Sequence, residues 1–118
     1  MTGLVDTLCY ATPATVVVAG KHGSSAAAPG TAEAAVLRWL ADRPRVAEVG
    51  FTVRGRCRLV ALCLGEHATF LMRPAEAAAL AERLARQVDE PMAVAIAAAM
   101  TRVGGADGTR RVDVGDPR

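Results

Sequence analysis

Residues 47–72 read AEVGFTVRGRCRLVALCLGEHATFLM, and the periodicity of this stretch decides the fold. Ala47, Val49, Phe51 and Val53 alternate with Glu48, Gly50, Thr52 and Arg54, the period of a strand with one face buried. Cys57 to Leu64 is apolar after Arg58, as expected of a central strand covered on both faces. His67 to Met72 reads as a third strand after a turn at Gly65-Glu66. Connections this short make an antiparallel meander.

The first hairpin admits two registers. A three-residue turn, Arg54 to Arg56, sets Phe51 opposite Leu59; a two-residue turn, Gly55-Arg56, sets Phe51 opposite Val60 and moves the cysteines to the other face. In both, Val60, Leu62 and Leu64 share one face of the central strand and Leu59, Ala61 and Cys63 the other, so something must cover each face.

Upstream, Thr15 to Ala19 is a β-branched run between Pro13 and Gly20 and reads as a short strand. Gly20 to Gly30 is, apart from Lys21 and His22, Gly, Ser, Ala and Pro without periodicity, which predicts a mobile loop. Thr31 is placed to cap a helix through Asp42, with Val36, Leu37, Trp39 and Leu40 as its buried stripe. Downstream, Pro74 opens a helix with Ala77, Leu80, Ala81, Leu84 and Val88 on one face. Asp89-Glu90-Pro91 breaks it and starts another, striped by Met92, Ile96, Met100 and Val103 and ended by Gly104-Gly105. Residues 106–118 offer no usable apolar pattern and are expected to form a disordered tail. The expected fold is α+β: a single domain over residues 1–105, with a three- to four-stranded antiparallel sheet (meander) packed against two to three helices.

Composition narrows the function classes. The 118 residues carry a net charge of +2, which gives no general drive toward nucleic acid or membrane. No apolar run approaches the roughly 18–20 residues of a bilayer span, and Met1 to Tyr10 lacks the pattern of a secretory signal, so a cytoplasmic protein is expected. Cys9, Cys57 and Cys63 form no C-x-x-C pair, which fits a reducing compartment. Their spacing to one another and to His22 and His67 matches no zinc motif, and no metal or cofactor is expected. Arginine stands almost everywhere that lysine could, with Lys21 the sole lysine, which points to a GC-rich, bacterial genome.

Three functional readings compete. The first is a non-catalytic binding or assembly module, homodimeric through an apolar surface made by Val60, Leu62 and Leu64 on the sheet or Met92, Ile96 and Met100 on the last helix. The second is nucleic-acid binding by Arg54, Arg56 and Arg58 at the hairpin tip, within a block (residues 38–73) that sets seven arginines against three acids. No aromatic residues interleave with them to stack on bases. The third is an enzyme of unknown reaction using a polar site drawn from His22, Ser24, Ser25 and His67. The loop at residues 20–25 lies between a strand and a helix, where phosphate-binding loops occur, but its Gly, Lys and Ser are in the wrong order for one.

Overall fold

The computed structural model describes residues 16–20, 23–42, 46–54, 57–65, 68–105 and 110–115. In chain order the elements are β1 (Val16–Gly20), β2 (Gly23–Ala27), α1 (Pro29–Asp42), β3 (Val46–Arg54), β4 (Cys57–Cys63), β5 (Thr69–Met72), α2 (Pro74–Ala85), α3 (Pro91–Gly104) and β6 (Arg111–Gly115). The class is α+β. Among the described residues six strands form one antiparallel sheet in the order β2-β1-β5-β4-β3-β6.

The meander stands as read, with Phe51 opposite Val60 and Arg54 opposite Cys57. The register is therefore that of the two-residue turn. Pairing then fixes two faces. Val16, Val49, Phe51, Val60, Leu62, Leu64, Phe70, Met72 and Val114 share one, and the three helices cover it in a single core. Val17, Glu48, Gly50, Leu59, Ala61, Cys63, Thr69 and Leu71 stand on the second face. Val17 and Leu59 are buried there too, outside that main core.

Helix starts follow the local chemistry. Pro74 and Pro91 take first-turn positions, where a missing N–H costs nothing. Pro29 does the same for α1, whose first turn closes by Thr31 and Ala32 N–H donation to the Ala28 carbonyl, both at 3.0 Å. Thr31 thus lies inside the helix and is not its cap. Apolar residues at helical spacing drive burial: Ala32, Val36, Trp39 and Leu40 from α1, Leu80 and Leu84 from α2, and Met92, Ile96, Met100 and Val103 from α3. Each large side chain among them contributes roughly 1.5–3 kcal/mol.

Three expectations are corrected. The sheet has six strands, not three to four. Within the expected loop of residues 20–30, Gly23–Ala27 is a strand, because β1 supplies a full ladder from Val16↔Ala27 to Gly20↔Gly23 that the segment's own composition does not announce. Within the expected tail, Arg111–Gly115 is a strand on the outer side of β3, where Val114 is buried at 6% exposure and Val112 is half-buried. Gly50 permits that approach: a Cβ there would sit 3.0 Å from the Arg110 carbonyl oxygen, which already accepts the Phe51 N–H at 3.1 Å.

Candidate functional site

The arginine hairpin comes first, and the structure divides it. Arg56 lies outside the described residues, as does the side chain of Arg54. Arg58 falls on the helix-covered face because the two-residue turn gives it the parity of Val60 and Leu62. Its guanidinium lies 4.1 Å over the Phe51 ring, and its Nη2 donates to the Val103 carbonyl at 3.1 Å, in the last turn of α3. Its Nε is buried without a hydrogen-bond partner. A cation at a helix C-terminus meets the negative end of the helix dipole, and stacking on Phe51 adds to that. Arg58 is thus engaged within the fold.

The expected dimer contacts lie inside a single chain. Val60, Leu62, Leu64, Met92, Ile96 and Met100 are all at most 1% exposed within one chain. The reason is geometric: Val60, Leu62 and Leu64 face the helices and join Met92, Ile96 and Met100 in one core. No second copy can reach these side chains without opening the core.

The polar group His22, Ser24, Ser25 and His67 is not assembled among the described residues. His22 and His67 lie outside them, as does the side chain of Ser24. Ser25 is exposed on β2 opposite Val18. Cys63 is half-buried on the second face and accepts from the Thr69 hydroxyl at 3.8 Å; Cys9 and the Cys57 side chain lie outside the described residues. Among the described residues no three His, Cys, Asp or Glu side chains gather as metal ligands.

Among the surface depressions lined by described residues are two open ones, at the α2–α3 pair and beside β6. One, about 500 Å3, runs between α2 and α3 over Ala77, Ala78, Ala81, Ala97 and Ala98, with Val94 and Glu82 on its walls. The other, about 440 Å3, lies on the second face between Cys63 and β6. There Arg111 binds Glu48 at 2.8 Å and Asp113 at 3.3 Å, so its charge is balanced by two carboxylates.

The two margins of the sheet differ in kind. At one, β6 carries Arg111 and Asp113, an ion-paired couple that crowds the strand with charge. At the other, β2 is Gly-Ser-Ser-Ala-Ala, free of charge and of proline, with Gly23, Ser25 and Ala26 exposed. Charged residues on an edge oppose the addition of another strand; a bare edge invites it. The reading of β2 as a loop concealed this margin, and the lack of charge in residues 23–27 was the one sequence signal for it.

No family model, curated protein or solved structure matches the chain. No helix among the described residues is long and apolar enough to cross a membrane.

Proposed function

We propose that this protein is a non-catalytic assembly module that recruits a further β-strand at β2 and works as a homodimer. The observation behind this reading is the contrast between the two sheet margins among the described residues: the β6 margin is charged, and the β2 margin is uncharged and pairs with no further strand. An added strand would satisfy the outward N–H and C=O groups of β2, and main-chain hydrogen bonds would supply the affinity. The weak strand propensity of Gly, Ser and Ala fits an element that gains from pairing on both sides. Static light scattering of the unmodified chain from low to high micromolar concentration tests the reading. The expected mass is twice that of the chain, and a single-chain mass throughout overturns it.

A further inference from the structure

Resting on that reading, we infer that the dimer contact is an antiparallel β2–β2′ pair with Ser25 on the two-fold axis. The ladder from Val16↔Ala27 to Gly20↔Gly23 gives the phase. An antiparallel ladder that closes with Gly20 opposite Gly23 makes that pair hydrogen-bonded, and alternation then turns the N–H and C=O of Ser24 and Ala26 outward. Only registers that set these two residues against the partner's Ser24 and Ala26 can form bonds. Of those, the register with Ser25 opposite itself aligns all five residues from Gly23 to Ala27; the others align fewer.

Charge and symmetry select the second copy as the occupant. Two β2 strands bring no charge to the seam, so nothing repels and nothing charged is desolvated. Joining β2 to a partner's β6 would bring Arg111 and Asp113 to the seam and leave a free margin on each end, which propagates into a filament. The isologous β2 pair closes. Its axis stands perpendicular to the sheet, so two six-stranded sheets become continuous with all helices on the same side and a charged β6 at each outer margin.

Two variants of the full chain test the contact. Ser25 would face its mate as a non-hydrogen-bonded pair with Cα atoms about 4.5 Å apart, within the range a disulfide spans. Ser25→Cys should therefore form an intermolecular disulfide between the introduced thiols under mild oxidation, identified by peptide mapping against the native cysteines. Ala26→Pro removes an outward N–H that no strand among the described residues pairs with, so its circular dichroism should match the unmodified chain while its mass in light scattering halves. A chain that is monomeric throughout overturns both this inference and the assembly reading. A dimer that survives Ala26→Pro and gives no disulfide at position 25 leaves the assembly reading standing and overturns the β2 contact. A chain that stays monomeric yet binds an extended peptide at β2 overturns self-pairing in favour of a different partner.

Discussion

Arg58 Nη2 donates to the carbonyl oxygen of Val103 across 45 residues of sequence, tying the tip of the β3–β4 hairpin to the end of α3. Arg58→Ala removes that bond and the stacking on Phe51 together. A loss of about 1–2 kcal/mol is expected, read as a lower denaturation midpoint with an unchanged slope. Arg58→Lys should recover only part of it, because an ammonium lacks the flat fork that stacks and donates at once.

Retention on heparin at physiological salt should change little in Arg58→Ala, since the side chain is already engaged within the fold. A steep loss of retention together with a reduced salt slope would return Arg58 to the phosphate-binding role.

Deleting residues 106–118 should lower the melting temperature by several degrees. Val114 is buried and Val112 partly so, and removing β6 bares the outer edge of β3. Losing one buried valine costs about 1.5–3 kcal/mol before the ladder bonds are considered, and each 1 kcal/mol is worth roughly 4–8 °C in a domain of this size. An unchanged melting temperature would mean that β6 adds nothing to the fold.

Gly50→Val should loosen the same strand while leaving the β3–β4 ladder in place. The new Cβ meets the Arg110 carbonyl oxygen at 3.0 Å, a backbone atom that cannot swing aside. Faster amide exchange confined to residues 110–115 is the expected signature; uniform exchange across the sheet would point to general destabilisation.

Leu62→Glu and Met100→Glu should unfold the chain outright. Each buries a carboxylate in the apolar core with no partner, a cost above roughly 4 kcal/mol. A folded, soluble monomer from either variant would contradict the internal placement of these side chains.

What the sequence made legible was the part whose signal is local. The alternation from Ala47 to Arg54, the apolar run of β4, and Pro74 and Pro91 at helix starts all report on their own neighbourhood. The outer strands were illegible because their conformation is conferred by a neighbour. Gly-Ser-Ser-Ala-Ala has no β-branched residue, and Arg-Val-Asp-Val-Gly has two apolar positions among polar ones. The placement of Arg58 is illegible for a related reason: it depends on one residue of turn length, which decides whether Arg58 shares a face with Phe51 or lies on the other. The apolar faces of β4 announce a need for cover, but one strand cannot reveal that the helices covering Val60, Leu62 and Leu64 come from the same chain.

Strand order carries a kinetic consequence. β1 pairs with its sequence neighbour β2 but also with β5, Val16 lying opposite Met72, and β3 waits for β6, Val49 lying opposite Val112. These ladders close loops of more than fifty residues, whereas the hairpins β1–β2, β3–β4 and β4–β5 close almost at once. Folding should therefore pass slowly through its last dockings, in the millisecond-to-second regime of domains rich in long-range pairing. During that interval the β1–β2 hairpin exists with both margins bare, and a crowded solution offers it another chain's hairpin as readily as its own β5.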